Sequence, residues 1–469
     1  MSKRYLVQTF GCQMNEHDSE RIAGLLESDG YESTQDQTQA DVIVVNTCCI
    51  RENADNKLYG ALGNMKQLKD QNPDLQIMVG GCLAQKDREM IQDRAGHVDV
   101  VFGTHNVHRA TELLSDARAN GPITEIWEEA DPDEAFASAL PARREIDYAA
   151  WLTIQVGCDN SCAFCIVPSV RGVEISRTPE DIVAEAQRLA ADGVTEITLL
   201  GQNVNSYGRD LALAARRAGD QDVRIRPAFA QLLRSVGAVE GIRRVRYTSP
   251  HPKDMTPEVF DAMVETPEVM AHLHFPLQSG SDRILTKMHR GYTAERFLSK
   301  ATLARETIPD LAITTDIIVG FPGETEEDFQ RTLEVTAAAE FDSAFTFVYS
   351  PRPGTEAAEM VDDFCDPDEV RERYERLRTV TMRSALAKHR ARIGRIENVI
   401  VEGPSKKDPS RLTGRTEHNK LVHFPRPDQP LRPGSYARVM VTDAHTQYMI
   451  GTFVEQTAKA THRTRIPVS

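Results

Sequence analysis

Residues 157–177 read GCDNSCAFCIVPSVRGVEISR, and this stretch decides the fold of the region around it. It holds Cys158, Cys162 and Cys165 with the spacing C-x3-C-x2-C. A loop this short can direct three thiolates at one centre, and cysteine thiolates are the ligands of iron–sulfur clusters. Because a [4Fe–4S] cluster has four irons, three protein ligands leave one iron open for chemistry, as in catalytic metal sites.

Zinc binding and disulfide formation are the other uses of such a triplet. A structural zinc site takes four ligands, usually as two separated pairs, whereas no histidine lies between Trp151 and Arg177. Disulfides are typical of secreted proteins, and the first residues of the chain lack the apolar run of a signal peptide. The pattern therefore favours an iron–sulfur cluster.

The triplet, with Phe164 directly before its last cysteine and a strand pattern at residues 151–156, resembles the motif of the radical S-adenosylmethionine (SAM) enzymes. The resemblance implies that SAM binds at the open iron and is cleaved to a radical after the cluster donates an electron.

The 469 residues are too many for one ordinary core, so two to four domains are expected. A content of 40% hydrophobic and 27% charged residues is typical of a globular protein. No stretch of about 18 apolar residues predicts a membrane span. In a cytoplasmic protein, eight cysteines indicate metal binding or catalysis rather than disulfides, and a cytoplasmic location is expected.

Charge is distributed unevenly along the chain. Residues 371–469 contain 20 Lys and Arg against 9 Asp and Glu, a net charge of +11, whereas residues 1–370 carry −26. Such asymmetry indicates a basic segment that binds nucleic acid. The alternative is a solvated basic helix without a partner.

Four apolar strand patterns lie in the first 118 residues, separated by polar, periodic stretches. Continuous runs rich in β-branched residues between helices predict a doubly wound parallel sheet. Three of these strands end at a cysteine, namely Cys12, Cys48 and Cys82. Because ligands lie beyond the carboxyl ends of such strands, we expect these cysteines to form a second triplet. The alternative is three ordinary buried cysteines.

Two further cysteines are not expected to be ligands. Cys49 follows Cys48 directly, and successive side chains of a strand point to opposite faces. It is therefore interpreted as a small buried residue. Cys365 lies in the acidic start of a charged helix without a partner.

Residues 151–350 alternate between strand and helix patterns again. The strand patterns lie at residues 151–156, 195–201, 243–249, 271–279, 311–320 and 343–350. Six such units predict an open parallel (β/α)6 barrel rather than the full eight. Because catalytic groups gather at the carboxyl ends of barrel strands, the triplet after the first strand belongs to that face.

Other residues at these strand ends are candidates for holding SAM. Glycine allows a cofactor to approach the backbone closely, and guanidinium groups pair with carboxylates. Arg177 and Arg171 could therefore meet the SAM carboxylate, although each could equally form a structural ion pair. In radical SAM enzymes the end of the second strand contacts the SAM amino group, and here it reads Gly-Gln-Asn. The predicted cofactor contacts are Gly201, Gln202, Asn203, Ser249, Gly320 and Arg177.

The C-terminal part begins with a charged helix at residues 363–393 and continues with short strand patterns broken by Gly and Pro. Short strands with turn signals predict a small β-barrel. Small barrels with a basic surface often bind RNA. The alternative is a packing or dimerisation module.

The motifs that contain the two triplets resemble those of the methylthiotransferases, a branch of the radical SAM enzymes. The resemblance covers nearly the whole chain and rests on residues 10–20, 46–54 and 157–172. It implies an N-terminal methylthiotransferase domain at 1–118, a linker at 119–143, a radical SAM core at 144–375, a TRAM RNA-binding domain at 376–457 and a tail at 458–469.

The resemblance also implies the chemistry. The motifs most resemble those of members that methylthiolate C2 of N6-dimethylallyladenosine at position 37, in the anticodon loop of tRNA. Two [4Fe–4S] clusters are expected, one that cleaves SAM and one, on Cys12, Cys48 and Cys82, that delivers sulfur methylated by a second SAM. A low-potential donor such as flavodoxin or ferredoxin and a monomeric enzyme are expected. Alternatives are methylthiolation of a ribosomal protein aspartate and a non-catalytic iron–sulfur sensor that binds RNA.

Overall fold

The computed structural model describes residues 2–49, 54–129 and 142–462, which fold into three regions. An N-terminal parallel sheet precedes a central set of parallel strands and a small closed barrel. Part of the predicted linker (130–141) and of the predicted tail (463–469) lies outside the described residues. No helix within the described ranges is long and apolar enough to cross a membrane.

The N-terminal region is a doubly wound sheet, as predicted. All its strands run parallel in the order β2-β1-β3-β4-β5-β6. Alternate residues of the third strand pack against opposite helix layers, which explains its continuous apolar sequence. The strands are β1 (Arg4–Phe10), β2 (Glu32–Ser33), β3 (Val42–Thr47), β4 (Gln76–Gly81), β5 (Val100–Phe102) and β6 (Ile123–Glu125). The helices are α1 (Gln13–Ser28), α2 (Ala54–Gln71), α3 (Cys82–Asp87), α4 (Met90–Arg94) and α5 (Ala110–Asn120).

Strand order reverses between β1 and β3, because β2 lies on one side of β1 and β3 on the other. Ligands of open parallel sheets bind at such a reversal, beyond the carboxyl ends of the strands. Cys12 follows β1, Cys48 follows β3 and Cys82 begins the helix after β4. All three therefore lie at the sheet edge where a ligand is expected. The last strand, β6, extends the sheet into the stretch predicted as a linker.

The central region is the predicted open barrel of six parallel strands. Two three-stranded sheets, β7-β10-β11 and β12-β13-β14, are joined by a bridge between Val245 and Val269. The strands are β7 (Ala149–Thr153), β8 (Gln155–Val156), β9 (Ile175–Ser176), β10 (Glu196–Leu200), β11 (Arg244–Tyr247), β12 (His272–His274), β13 (Ala312–Val319) and β14 (Ser343–Val348). The helices are α6 (Val167–Arg171), α7 (Pro179–Ala191), α8 (Arg209–Arg217), α9 (Phe229–Gly237), α10 (Pro257–Glu265), α11 (Asp282–Lys287), α12 (Ala294–Thr307), α13 (Glu326–Ala339), α14 (Glu356–Glu359) and α15 (Pro367–Arg390).

The C-terminal region is the predicted small β-barrel, closed in the order β15-β16-β17-β19-β18. Its interior is apolar and includes Val399, Val422 and Phe424. The strands are β15 (Ile396–Pro404), β16 (Arg411–Thr416), β17 (Leu421–Pro425), β18 (Tyr436–Ala444) and β19 (Met449–Ala458).

The small barrel packs on the amino ends of the central strands. Arg244, the first residue of β11, donates hydrogen bonds to the carbonyls of Arg415 and Asn398 at 2.8 and 2.9 Å. Lys420 forms a buried ion pair at 2.7 Å with Asp342, just before β14. The small barrel therefore closes the end of the central barrel opposite to the carboxyl ends of its strands.

Candidate functional site

The cysteine loop after β7 is closed at its base by a short antiparallel pair of strands. Gln155 and Val156 pair with Ser176 and Ile175. Gly157 has a φ of +76°, and a Cβ there would lie 1.9 Å from the carbonyl oxygen of Val173. Only glycine fits this position, so the loop returns on itself immediately before Cys158.

The segment after α11 holds the cysteine loop from the other side. The amide of Ala163 donates to the carbonyl of Met288 at 3.2 Å, and the His289 ring is 3.0 Å from the carbonyl of Ser161. The guanidinium of Arg290, which is buried, donates to the sulfur of Cys162 at 3.3 Å. These contacts fix the loop backbone and aim a cation at one of its thiols.

Burial disfavours the ionised form of two of the loop thiols, Cys165 and Cys158. It raises the pKa of Cys165 to about 12, and the charges of Cys162 and Cys158 also raise it. Burial likewise raises the pKa of Cys158. Thiols must lose their protons to bind metal. As thiolates these three cysteines would repel one another, and a bound metal centre would offset that repulsion.

The second predicted triplet also comes together. A Cβ on Gly11 would lie 2.9 Å from the Cβ of Cys48, which places that cysteine beside the backbone that leads to Cys12. A hydrogen bond from Cys48 lowers the pKa of Cys12 to about 5, against the effect of burial. A hydrogen bond with Cys49 lowers the pKa of Cys82, and the negative charge of Cys12 opposes this effect. Three distant strand ends thus bring their thiols into mutual range.

Asn15 holds the first turn of α1 against the neighbouring strand. Its amide donates to Asn46 Oδ1 at 3.1 Å and to the carbonyl of Thr47 at 3.0 Å. The Cys12 sulfur lies 3.4 Å from Asn15 Oδ1. All these groups are buried or half-buried. This network fixes the ends of β1 and β3 relative to each other.

Cys49 is buried, with 4% of its surface exposed, as the sequence indicated. Its thiol shares a hydrogen bond with Cys82, which lowers the pKa of Cys82 and raises that of Cys49. Cys49 also packs among apolar residues that include Leu58 and Leu83. It therefore lies beside the second triplet, an arrangement that strand alternation alone did not indicate.

Arg171 connects the two triplets. It lies in α6, six residues after Cys165, and forms a buried ion pair with Asp18 of α1 at 2.8 Å. Although burial lowers the pKa of Arg171, the charges of Asp18, Cys82 and Cys12 raise it above its usual value. The helix that follows the first triplet thus delivers a cation to the second.

Unpartnered polar atoms gather at the end of β10, where SAM contacts were predicted. Four buried atoms find no hydrogen-bond partner among the described residues: Gln155 Oε1, Gln202 Oε1, Asn203 Oδ1 and His251 Nε2. Asn203 is oriented by a bond from its amide to Asp254 Oδ2 at 2.8 Å. Unsatisfied buried acceptors are costly without a ligand. The three amide oxygens suit a donor such as the ammonium group of SAM, whereas His251 Nδ1 accepts a hydrogen bond from the amide of Lys253 at 3.1 Å, so that His251 Nε2 is a donor.

The remaining predicted contacts have different surroundings. Gly201 lies against Gln155, whose Cγ would be 2.7 Å from a Cβ at this position. Ser249 has a φ of 58°, and the backbone amide of Gly320 donates to Glu324 Oε2 at 2.8 Å.

Arg177 is buried, pairs with Glu185 at 2.7 Å and donates to the carbonyl of Thr153 at 2.9 Å. A SAM contact of Arg177 stays a prediction beside this structural ion pair.

Both triplets have the donor chemistry of iron–sulfur clusters. In the described part of the chain, no group of three or more Cys, His, Asp or Glu side chains is arranged so that it could bind a single metal ion. The ligands of a [4Fe–4S] cluster bind different irons, so they need not converge on one point. Two sets of three thiols, each beside a buried arginine, fit two such clusters.

Comparison with protein families divides the chain into three matched segments. Residues 4–103 match the uncharacterized protein family UPF0004, residues 152–336 match the radical SAM superfamily, and residues 390–454 match the TRAM domain. The superfamily match agrees with the cofactors predicted from the sequence, SAM and [4Fe–4S] clusters.

Full-length relatives decide the family. The chain is 55% identical to the tRNA-2-methylthio-N(6)-dimethylallyladenosine synthase of Parafrankia sp. (strain EAN1pec), over 94% of this chain and 88% of that one. The chain belongs to the tRNA-2-methylthio-N(6)-dimethylallyladenosine synthase family. Synthases of Acidothermus cellulolyticus and Mycolicibacterium smegmatis are 54% and 52% identical, over 96% of this chain and 87% and 86% of theirs.

Among solved structures, the radical S-adenosylmethionine methyltransferase TsrM from Kitasatospora setae has a similar fold. Its TM-score is 0.50 at 14% identity, over 76% of this chain and 75% of that one. At this identity the likeness concerns the fold alone.

The candidate site contains residues that the sequence did not single out. Arg290 lies 128 positions after Cys162, and Asn15 belongs to the motif at residues 10–20 but has no predicted role of its own. An arginine placed directly after a helix end gives no local signal of what it contacts. Only the tertiary structure shows that it faces a thiol.

Proposed function

We propose that this chain is a radical SAM methylthiotransferase that converts N6-dimethylallyladenosine at position 37 of tRNA to its 2-methylthio derivative. The observation that carries the proposal is that the segment directly after the loop triplet packs on the second triplet: Ile166 lies in the same apolar cluster as Cys82, and Arg171 pairs with Asp18 beside Cys12 and Cys82. A single triplet would suffice for SAM cleavage, whereas sulfur insertion requires a second site beside the first. The identity to synthases over 94% of the chain supports the substrate.

Cys158, Cys162 and Cys165 would hold the cluster at which SAM binds. Gln202 and Asn203 present acceptors for the SAM ammonium group. The bound cofactors supply radical chemistry, which suits an aromatic C–H bond that resists acid–base catalysis. Gly157 and the segment around Met288 keep the loop rigid, so that the thiols need no rearrangement before binding.

Cys12, Cys48 and Cys82 would hold the second cluster, which is the proposed source of sulfur. Arg171 places a positive charge beside these thiols while remaining paired with Asp18. Buried charges are stable only when they are paired. Arg171 therefore fits a site that carries several thiolates, and it reaches that site from the segment six residues after Cys165.

The partners follow from the substrate. A base must leave its stack to be modified, and the single-stranded anticodon loop makes this step easier. The basic C-terminal region is proposed to bind the tRNA backbone. We further propose a monomeric enzyme, a cytoplasmic location with its tRNA, and flavodoxin or ferredoxin as electron donor.

An anaerobic assay tests the proposal. The reconstituted wild-type enzyme is incubated with SAM, a low-potential reductant, and either prenylated or unprenylated tRNA, and the digested nucleosides are analysed by mass spectrometry. The expected product is the 2-methylthio derivative of the prenylated nucleoside, with much less product from unprenylated tRNA. A variant with alanine at all three loop cysteines is the control and should form no product.

Two results would contradict the proposal. One is a methylthio adduct on a ribosomal protein aspartate with none on prenylated tRNA. The other is RNA binding without any cleavage of SAM, which identifies a sensor rather than an enzyme.

A further inference from the structure

The two faces of the second half of the central barrel differ in their residues. Ile313 and Ile317 of β13 lie in the apolar core on the outer, helix-covered face. The alternating residues Thr314 and Asp316 are half-buried and lie on the opposite face. That opposite face lines the interior of the barrel.

Two exposed aromatic side chains occupy this interior face on β14. Asp316 is opposite Phe345, and Ile318 is opposite Phe347, in the register of the two strands. Phe345 is 59% exposed and Phe347 is 48% exposed. Helix α15 packs against the same strand. Phenylalanines this exposed contribute little to the core, and large exposed apolar groups commonly mark a binding surface.

The strand that carries them borders the opening of the barrel. β14 is the last strand in the order of its sheet, and β7 is the last strand on the other side. Trp151 of β7 alternates with Ala150 and Leu152, which lie in the outer core, so Trp151 is on the interior face as well. Aromatic residues therefore flank the opening from both sides.

Polar groups lie directly beside the phenylalanines. The ring of His274 meets that of Phe345 edge-on, with 6.4 Å between the centroids. His274 Nε2 is 3.3 Å from Asp316 Oδ2. An apolar surface next to a hydrogen-bonding pair suits a nucleobase, which has a π face and a polar edge.

The aromatic surface leads towards the first cysteine triplet. Tyr349, just after β14, packs edge-on against Phe321 with 5.5 Å between ring centroids. Phe321 in turn meets Phe164 of the cysteine loop at 6.5 Å. Phe345, Phe347 and Tyr349 alternate along one face of this strand, so the surface extends along β14 towards the ring contacts of the cysteine loop.

We propose that Phe345 and Phe347 form the surface on which the prenylated target base of tRNA stacks when it enters the barrel opening, with Asp316 and His274 at its polar edge. The inference rests on the proposed function and names the residues that receive its substrate. Every base can stack on an aromatic ring, and the isoprenoid group adds apolar area to the same contact. Phe345 and Phe347 therefore contribute both to binding and to discrimination against unprenylated tRNA.

The test compares Phe345→Ala, Phe347→Ala and the double variant with wild type, using prenylated and unprenylated anticodon stem-loops. Loss of one stacked base contact should lower kcat/KM for the prenylated substrate about 5- to 150-fold. The preference for the prenylated substrate should decrease as well. SAM cleavage without RNA and iron content should remain at wild-type levels, because neither residue contacts a thiol.

Two further variants make the outcome decisive. Phe345→Tyr keeps an aromatic face and should restore most of the activity. Leu303→Ala removes another exposed apolar side chain, 39% exposed, from helix α12 outside this surface, and should act like wild type. Wild-type rates and preference in the double variant would overturn the proposal while leaving the proposed function intact. Absence of product with wild-type enzyme would instead contradict the proposed function.

Discussion

Arg290 donates a hydrogen bond at 3.3 Å to the sulfur of Cys162, the middle cysteine of the loop triplet. The guanidinium is buried, and its other hydrogen bond goes to the hydroxyl of Tyr292 at 3.3 Å. Among the described residues it forms no ion pair with a carboxylate. The negative charge of a cluster ligand therefore balances this buried cation.

Replacing Arg290 should change the cluster rather than the fold of the loop. Net charge and hydrogen bonds to sulfur set the reduction potential of iron–sulfur clusters, so Arg290→Met should lower the potential. Loss of such a partner commonly reduces activity about 10- to 100-fold, and SAM cleavage should decrease by a similar factor. The potential is measured by a redox titration followed by electron paramagnetic resonance.

Arg290→Lys is the matched variant, because it keeps the charge but not the geometry of the guanidinium. It should restore part of the potential and of the activity. An unchanged potential in Arg290→Met, together with weaker SAM binding, would show that Arg290 acts on SAM instead.

Iron content should report the two triplets separately. A chain with both clusters holds about eight irons, four in each. Changing Cys158, Cys162 and Cys165 together to alanine should leave about four irons and abolish formation of 5′-deoxyadenosine. Iron analysis and chromatography of the reaction products measure the two effects. Continued SAM cleavage in this variant would contradict the assignment of the loop triplet.

Cys48 and Cys49 should differ in their effects although they are adjacent. Cys48→Ala should lose about four irons and all methylthio product, because it removes a cluster ligand. Cys49→Ala should keep the iron and the product, because it removes only a hydrogen bond to Cys82. Iron content and nucleoside mass spectrometry are compared in the two variants. Equal losses would show that Cys49 is itself a ligand.

The sequence predicted the parts of the site that follow from strand ends. In a parallel sheet all carboxyl ends share one edge, so the strand patterns alone predict that Cys12, Cys48 and Cys82 lie together. The loop triplet is local in sequence and required no knowledge of the fold. Both predictions depend only on periodicity and spacing.

The sequence could not predict contacts between distant elements. The position of Arg290 depends on how α11 packs against the cysteine loop, and the position of Arg171 depends on how α6 meets α1. Arg177 illustrates the same limit, since a buried arginine near a strand end suits a ligand carboxylate and Glu185 equally well. The packing of distant elements determines which carboxylate such an arginine contacts, and the local sequence contains no information about that packing.

Lys406 and Lys407 should contribute to tRNA binding through the phosphate backbone. Both are exposed in the connection between β15 and β16, and neither forms an ion pair within the described ranges. Changing both to alanine should weaken binding and reduce the slope of log affinity against log salt by about 0.7 to 0.9 per lost contact. Binding is measured by fluorescence anisotropy at several salt concentrations.

Substitution is preferable to truncation here, because Arg244 and Lys420 bury charges between the small barrel and the central one. The control changes Arg331 and Arg371 to alanine, which removes the same charge from exposed helical positions that are paired with Glu334 and Asp368. An unchanged salt slope in the lysine variant would exclude this turn from tRNA binding.

Glu20 should make stability depend on pH near neutrality. Burial raises the pKa of its carboxyl from 4.5 to about 7. Below pH 4.5 the group is protonated in both the folded and the unfolded chain and has no effect. Between pH 4.5 and about 7 the unfolded chain releases this proton whereas the folded chain keeps it. The free energy of unfolding therefore decreases by up to about 3 kcal/mol as pH rises through this range.

Glu20→Gln removes this titration while its side-chain oxygen can still accept the hydrogen bond from the amide of Glu145, which is 3.1 Å in the wild type. Its melting temperature should exceed that of wild type by a few degrees at pH 8 and should match it near pH 4.5. Thermal unfolding of both proteins across this range measures the difference, with the exposed substitution Glu32→Gln as control. A difference that stays constant with pH would show that Glu20 is ionised throughout, held by Arg144 rather than neutralised by burial.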